Sequence, residues 1–427
     1  MRNFGGNIDH AGERTYGGRI DAKNLIVQND GDLFSTHGHV GTSSNTDGSI
    51  NIANTVTVSG WGSNWFTDDL TVSGYGRKVS VANNGNVHVY DFLTLNNFGS
   101  VINTAGTLTA DSLNINSNSS LISGNTAVGQ FFINSTNIRN DAKVSGSGAR
   151  LLSGSLSVNN GRQLSVVNNG VVEVAKNLIV KNGGRVLLDD GMLSTKNTDI
   201  TSGNITVNNK GGLTTENMSV GQSGSVHLNS GFIKISDDLI NNGLIDIADD
   251  QLLTLMGNVS GSGSFIGETF LNGANVNPGN SPGTLTFGDT TWSDVLLTME
   301  FAGFGSDQYD VININGDFNL LNSFAIDFDF ADGLDFDSIL GQSFNVLNVS
   351  GGFTGLDFAS WDINFIDGWA ADWVNDNNMW NLALNYQGSD KPPTDQDPST
   401  EVPEPSTLLL MLLAFYFLMF SRKESTW

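Results

Sequence analysis

The sequence predicts an all-β fold, in which a parallel β-helix (a β-solenoid) is followed by a smaller β-rich domain and a C-terminal hydrophobic helix. Only 15% of the 427 residues are charged and 51 are Gly, whereas an average soluble domain is about 25% charged. Val, Ile, Leu and Thr occur in short groups that end at Asn-Gly, Gly-Gly or Ser-Gly, as short strands and tight turns do. Before residue 400 no run has the composition of a long amphipathic helix.

Internal repeats predict that residues 1–256 form the solenoid. Residues 23–31 are echoed by residues 176–184, and residues 77–85 by residues 162–170. The repeated unit is apolar, polar, apolar, and then a polar turn that closes on Gly. Two or three such strands give a coil of about 20–27 residues, and stacked coils share one core and pair their strands in parallel. The alternative is an array of β-sandwiches with coincidental internal similarity.

Asn residues near the turns support the solenoid in two ways. Asn tolerates the left-handed backbone conformation that tight corners need. Asn side chains on stacked coils can also hydrogen-bond to one another along the axis. We therefore expect Asn ladders that follow the stack.

The pattern changes near residue 257 and predicts three further segments. Residues 257–291 form a transition or cap segment in which Pro appears. Residues 292–386 form an acidic β-rich domain of longer alternating strands, and residues 251–400 contain 20 acidic residues against a single base, Lys391. Residues 387–402 are rich in Pro and poor in apolar side chains, as solvated linkers are.

A hydrophobic helix is predicted at residues 407–421. Leu408 to Phe420 is an uninterrupted run of 13 apolar residues, and Arg422 and Lys423 follow it. Such a run spans about 20 Å as a helix, against about 30 Å for the hydrocarbon core of a bilayer. Its place between a solvated linker and a basic end predicts a membrane segment with a cytoplasmic anchor.

The tail at residues 403–427 resembles the PEP-CTERM sorting signal of Gram-negative bacteria. The resemblance lies in the order of its parts: the tripeptide Pro403, Glu404 and Pro405, then the apolar run, then a basic end of only two residues. It implies export, recognition of the tail by an exosortase-type enzyme, and insertion of the helix in the inner membrane before processing. It also implies a final place at the cell surface or outside the cell, with exopolysaccharide and biofilm matrix.

A second resemblance lies before the acidic strands. Residues 278–285, followed by residues 309–316, look like the segment that ends β-helical passengers in autotransporter-like and PEP-CTERM proteins. An export signal is expected with both resemblances, yet Met1 to Gly6 leads into polar sequence without an apolar region. We therefore expect that the sequence starts late, at an internal or misassigned methionine.

Composition restricts the possible partners and chemistry. A net charge of −25 repels nucleic acid and anionic lipid, so neither is expected as a partner. The sequence contains no Cys, which excludes disulfides, thiolate metal sites and Cys nucleophiles. It also lacks a Gly-rich phosphate loop and a Ser nucleophile elbow.

The acidic and His residues do not predict a catalytic site. Adjacent acids such as Asp189 and Asp190 point to opposite faces of a strand, so such a pair does not form a two-carboxylate hydrolase site by itself. His37 and His39 share a strand face, but no third metal ligand has a suitable spacing.

Calcium is the one cofactor for which the acidic domain offers candidate ligands. Carboxylate oxygens on flexible backbone suit calcium, although the spacing matches neither an EF-hand nor the Gly-Gly-x-Gly-x-Asp repeat. A solvated acidic strand face is the alternative. The candidates are Asp327, Asp329, Asp332, Asp335 and Asp337.

These features predict an exported structural or adhesive protein that associates with surface polysaccharide and is not an enzyme. The alternative is a β-helical polysaccharide lyase or glycoside hydrolase. A long uniform stack with Asn and Thr ladders would favour the structural role. Three or more acids and a base converging on one face of the stack would favour the enzyme.

Overall fold

A computed structural model describes most of the first 388 residues. All of the described residues except Gly388 belong to one compact unit, Met1–Gln387. The predicted helix at residues 407–421 lies outside the described part of the chain. Within that part, no helix has the length and apolar character needed to cross a bilayer. The described ranges are 2–10, 13–14, 20–41, 49–116, 118–128, 136–138, 140–279, 282–364, 368–376 and 379–388.

The described secondary structure consists of β-strands and two short 3₁₀ helices. The first strands are β1 (Arg2–His10), β2 (Glu13–Arg14), β3 (Ile20–Val27), β4 (Asp32–Val40), β5 (Ser49–Ser59), β6 (Asn64–Ser73), β7 (Lys78–Ala82), β8 (Asn86–Asn96), β9 (Ser100–Asn103), β10 (Thr107–Ile115), β11 (Ser120–Val128), β12 (Thr136–Ile138) and β13 (Ala142–Ser145). The central strands are β14 (Arg150–Val158), β15 (Gln163–Val167), β16 (Val171–Val180), β17 (Arg185–Asp189), β18 (Met192–Ile200), β19 (Asn204–Asn208), β20 (Gly212–Val220), β21 (Ser225–Leu228), β22 (Phe232–Ile235), β23 (Leu239–Asn241), β24 (Leu244–Ile247), β25 (Leu252–Leu255) and β26 (Asn258–Gly261). The last elements are β27 (Ser264–Ile266), β28 (Glu268–Asn272), β29 (Asn275–Pro278), β30 (Thr284–Phe287), β31 (Thr290–Phe301), β32 (Val311–Ile314), β33 (Phe318–Phe330), η1 (Phe336–Ile339), β34 (Ser343–Val349), β35 (Phe353–Gly355), η2 (Phe358–Ser360), β36 (Asp362–Asn364), β37 (Trp369–Asp376) and β38 (Met379–Tyr386).

Strands on successive coils pair in parallel and form three columns. The first column contains β7 and β9, and then the first halves of β11, β14, β16, β18 and β20. The second contains the first halves of β6, β8 and β10, and further along the second halves of β14, β16, β18 and β20. The third contains the second halves of β6, β8 and β10, and then β13, β15, β17, β19 and β21. Parallel pairing between coils confirms the stacked arrangement and excludes the sandwich alternative, whose sheets are antiparallel.

The long strands turn a corner, so that one strand contributes to two columns. In β16, Val172 and Val174 are buried, as are Leu178 and Val180, but the three residues between them are exposed. The register between β14 and β16 also shifts at this point. One coil therefore consists of a short strand and a bent long strand, and both arms of the long strand face the core.

Coil length follows from hydrogen-bonded Asn pairs on neighbouring coils. Asn197 and Asn177 are 20 residues apart, whereas Asn348 and Asn313 are 35 residues apart. The predicted coil of about 20–27 residues therefore describes the middle of the solenoid, and the last coils are longer.

Asn residues at the corners have the expected conformation. Asn168 and Asn169, between β15 and β16, have φ angles of 51° and 62°, in the left-handed region that Asn tolerates better than most residues. Gly170 then brings the chain close to the preceding coil, because a Cβ atom there would lie 2.4 Å from the carbonyl oxygen of Val144. The Asn-Asn-Gly turn is thus required by both backbone conformation and coil spacing.

The apolar core is continuous along the stack and becomes aromatic toward the C-terminal end. Val and Leu fill the central coils and are almost completely buried. Further on, Trp292 packs edge-on against Phe287, Phe318 and Phe324. Burial of apolar side chains contributes roughly 1.5–3 kcal/mol for each large residue, so the shared core is the main source of stability.

Strand pairing continues through the predicted boundaries at residues 256 and 291. Across the first boundary β23 pairs with β26 and β24 with β27; across the second, β28 and β29 pair with β31. An antiparallel hairpin of β37 and β38 follows the last parallel strands, and β38 also pairs antiparallel with β34. These final strands end the run of parallel pairing.

Candidate functional site

A ladder of side-chain hydrogen bonds follows one corner of the solenoid. Asn197 Nδ2 donates to Asn177 Oδ1, and Asn217 Nδ2 donates to Asn197 Oδ1, both at 2.9 Å. The backbone N–H of Asp238 donates to Asn217 Oδ1 at 3.3 Å, and its carboxylate accepts from Asn258 Nδ2 at 2.6 Å. The last bond runs from Asn275 Nδ2 to Asn258 Oδ1, at 3.1 Å. We call this row the Asn ladder, and its members are Asn177, Asn197, Asn217, Asp238, Asn258 and Asn275.

Buried hydroxyl groups lie directly behind the Asn ladder. The hydroxyl groups of Thr195 and Thr215 donate to the backbone carbonyls of Asn197 and Asn217, at 3.0 and 2.8 Å. Thr198 Oγ1 lies 3.2 Å from Thr215 Oγ1. These contacts satisfy carbonyl groups at the corner, where the strand bends, and a buried carbonyl without a partner would be costly. Two further pairs make the same contact: Ser153 with Ser155, and Thr67 with Asp69.

An open groove of about 520 Å³ lies beside this corner and crosses β11, β14, β16, β18 and β20. Its floor is a row of inward-facing residues: Ser123, Ser153, Val174 and Thr195. One side is the row of their outward-facing neighbours: Ile122, Leu152, Glu173 and Ser194. The other side is formed by the corner residues Gly154, Ala175, Lys196 and Glu216.

Small residues at the corner explain why the groove is open. Gly154 and Ala175 occupy corner positions where the next coils carry Lys196 and Glu216. The short side chains leave the groove open to the outside, although Ser123, Ser153 and Thr195 on its floor are nearly completely buried. The groups that a ligand can reach are the exposed Ser194 hydroxyl and the charged side chains of Glu173, Lys196 and Glu216, which follow the solenoid axis.

Each of the two carboxylates of the groove is paired with a cation. Glu173 forms an ion pair with Arg150, and Glu216 lies 3.9 Å from Lys196 Nζ. All four side chains are substantially exposed, so each pair contributes at most about 1 kcal/mol to stability. The two ion pairs place charges of both signs on neighbouring coils along the groove.

His37 and His39 lie side by side, as their shared strand face predicts. Their rings are nearly parallel, with centroids 6.2 Å apart, and His37 Nε2 is 3.8 Å from Asp69 Oδ2. Burial lowers the pKa of His39, the positive charge of His37 lowers it further, and Asp69 acts in the opposite direction. In the described ranges, no group of three or more His, Asp or Glu side chains is arranged to hold a metal ion.

The five candidate calcium ligands fall on three different elements. Asp327 and Asp329 lie on β33, and Asp327 accepts a hydrogen bond of 2.6 Å from Asn364. Asp332 is in the turn that follows, while Asp335 precedes η1 and Asp337 lies in its first turn. In the described part of the chain, these carboxylates do not converge into a metal-binding group.

A buried carboxyl group joins the two segments that resemble the end of a β-helical passenger. Asp310 is fully buried and accepts hydrogen bonds from the backbone N–H groups of Gly283, at 2.7 Å, and Glu300, at 2.8 Å. Burial raises its pKa to about 6, although the two hydrogen bonds act against this shift. Strands β30 and β32, which flank the contact, are also paired. Asp310 is thus a structural link between these strands.

The sorting tripeptide Pro403, Glu404 and Pro405, the membrane segment from Leu408 to Phe420, and the basic end lie outside the described residues.

Comparison with known proteins identifies no family. No protein-family model and no curated protein matches this chain. A solved structure that matches is the crystal structure of a hyper-glycosylated TibA fragment modified by TibC, which is 18% identical in sequence. The alignment covers 81% of this chain and 97% of the TibA fragment, with a TM-score of 0.28. Overlap at this level is too low to support an inference about fold or function.

Sequence reasoning missed the groove but contained a signal for the corner beside it. Thr195, Lys196 and Asn197 recur one coil later as Thr215, Glu216 and Asn217, so a Thr-x-Asn repeat marks the corner. The groove itself depends on which residues stack in register, and no local pattern reports that.

Proposed function

We propose that this chain is an exported structural or adhesive protein that binds surface polysaccharide along the side of its solenoid and does not cleave it. The observation that carries the proposal is the groove beside the Asn ladder. It is open, it follows the solenoid axis, and it offers polar groups and paired charges rather than a pair of free acids. A polymer lying along the axis would meet polar or charged side chains on three successive coils, namely Glu173, then Ser194 and Lys196, then Glu216.

The energetics suit a long ligand. Individual hydrogen bonds to a polyhydroxyl chain contribute about 1 kcal/mol net or less. Successive coils stand about 4.8 Å apart, so a polymer can make many such contacts at once. Binding by many weak contacts on one chain gains strength through effective concentration, which is the property that a matrix protein needs.

The alternative is a polysaccharide lyase or glycoside hydrolase, and the groove indicates which residues it would use. A glycoside hydrolase places two carboxyl groups on either side of the bond that it cleaves. Glu173 and Glu216 are the two carboxylates of the groove, but Arg150 and Lys196 engage them. This pairing supports binding over cleavage.

The proposal includes the sorting of the chain through its tail. Pro403, Glu404 and Pro405 precede the apolar run, and a basic pair follows it, an order that resembles the PEP-CTERM signal. The partners would be an exosortase-type processing enzyme, the inner membrane during export, and polysaccharide at the surface.

Filling the groove tests where the polymer binds. Replacing Ala175 with Trp puts a large side chain into the groove from an exposed corner, while Ser223→Trp adds the same side chain at an exposed turn outside it. Affinity for the host's own exopolysaccharide, measured by co-sedimentation with the full chain, should fall at least several-fold for A175W and stay unchanged for S223W. Equal binding by both variants would contradict binding in the groove.

A further inference from the structure

A second surface lies on the outer face of the N-terminal coils, where aromatic rings are stacked. Phe34 on β4 is in register with Phe66 on β6, and Phe66 with His88 on β8. The rings of Phe34 and Phe66 are 4.9 Å apart and nearly parallel. His88 follows at 6.2 Å, and Tyr90 lies 4.5 Å from His88. We call Phe34, Phe66, His88 and Tyr90 the aromatic column.

The aromatic column faces outward. Leu33 and Trp65, the strand neighbours of its two Phe residues, are buried in the core, and successive side chains of a strand point to opposite faces. Phe34 and Phe66 are half-buried, and Tyr90 is 45% exposed. The core is therefore complete without these rings.

A polar row runs beside the aromatic column on the same face, two residues earlier on each strand. Asn64 Nδ2 donates to Asp32 Oδ1 at 2.7 Å, and Asn86 Nδ2 donates to Asn64 Oδ1 at 3.2 Å. The outer face of these coils thus carries two parallel rows, one aromatic and one of amide and carboxylate groups.

We propose that the aromatic column and the polar row bind a neutral polysaccharide. A sugar ring has a C–H face that packs on an aromatic ring and a rim of hydroxyl groups that bonds to amides and carboxylates. The two rows match these two chemistries side by side. This inference rests on the proposed function and deepens it, since it specifies a second contact region and the charge of the polymer.

Charge and width decide the class of ligand. Asp68, Asp69 and Asp91 lie at the corner next to the column, and β4, β6 and β8 contain no Lys or Arg. Arg14 on β2 is in register with Phe34 at one end of the column, but the three acids outnumber it, so an anionic polymer would be repelled. A stable protein partner buries about 800 Å² on each side, whereas the column is one ring wide. A neutral glycan chain along the axis fits both conditions.

Calorimetric titration of the full chain tests the proposal. The probes are cellohexaose, laminarihexaose and mannohexaose as neutral ligands, hexagalacturonate as the anionic ligand, and octalysine as a cationic peptide. We expect at least one neutral hexasaccharide to bind more tightly than hexagalacturonate and octalysine. Preference for octalysine, or no binding of any neutral probe, would overturn the proposal.

Variants locate the binding. Tyr90→Ala removes an exposed ring and should weaken the neutral ligand about threefold to tenfold. Tyr75→Ala is the matched control, because Tyr75 is 86% exposed and packs against Phe98 away from the column. If Y90A binds as tightly as Y75A, the aromatic column is not the site. If A175W still shows weaker binding of exopolysaccharide, the proposed function stands even though the aromatic column is not the site. Failure of the aromatic column and failure of the proposed function can therefore be told apart.

Discussion

Asn217 donates a hydrogen bond from Nδ2 to Oδ1 of Asn197, one coil earlier, at 2.9 Å. Because a primary amide both donates and accepts, Asn197 in turn donates a hydrogen bond from its Nδ2 to Oδ1 of Asn177. The bond can form only when the two coils are stacked in this register. The Asn ladder therefore ties the position of the groove to the stacking of the coils.

Replacing Asn197 with Ala should lower the free energy of unfolding by about 1–2 kcal/mol, because it removes two side-chain hydrogen bonds. Asn275→Ala, at the end of the ladder, removes only one and should cost about half as much. Denaturant unfolding of the two variants checks the difference. Equal losses of unfolding free energy in the two variants would show that the side-chain hydrogen bonds of the Asn ladder do not account for its contribution to stability.

Replacing Thr215 with Val should cost about 1–3 kcal/mol, since the buried carbonyl of Asn217 would lose its hydroxyl donor. Val has nearly the same shape, so packing changes little. Thr214→Val is the control, because Thr214 is exposed on the same strand, and it should change stability by less than about 0.5 kcal/mol. Thermal melts of both variants would settle the comparison, and equal melting shifts would contradict the role of the hydroxyl.

The sequence predicted those parts of the fold that depend on local pattern. The left-handed Asn168 and Asn169 and the stacked Asn177 and Asn197 follow from a repeated motif whose members are chemically alike. The parallel stacking followed from the same repeats, because one coil cannot bury its own apolar side chains.

The contact surfaces could not be predicted, because they depend on register between coils. Gly154 and Lys196 line one groove although they are far apart in the sequence. Phe34 and Phe66 stack although their spacing differs from that of Phe66 and His88. Unequal coil lengths hide such alignments until the strands are paired.

Asp310 should make the stability of the C-terminal coils depend on pH. Its pKa is about 6 in the folded protein, against the ordinary Asp value of 3.8, so between these values the folded state keeps a proton that the unfolded state releases. The free energy of unfolding should therefore fall as the pH rises from about 4 to about 6, by at most about 3 kcal/mol from this group, and then level off.

An Asp310→Asn variant isolates this contribution, since Asn does not titrate and the other carboxylates are unchanged. Melting temperatures of the parent and the variant, measured between pH 4 and pH 7, should show a smaller fall for the variant. Parallel pH profiles would mean that Asp310 titrates normally.

The tail should be removed from the mature surface protein near Pro405. Its order of tripeptide, apolar run and basic end motivates this prediction. Mass spectrometry of surface-associated protein should find a C-terminus close to residue 405. Detection of intact Trp427 on that protein would refute processing.

The most direct test of the central claim is to incubate purified full-length protein with the host's own exopolysaccharide and to analyse both pellet and supernatant. The protein should sediment with the polymer while the supernatant gains neither reducing ends nor unsaturated sugars. Steady release of oligosaccharides that is abolished by Glu173→Gln or Glu216→Gln would contradict the structural role and establish an enzyme in the groove.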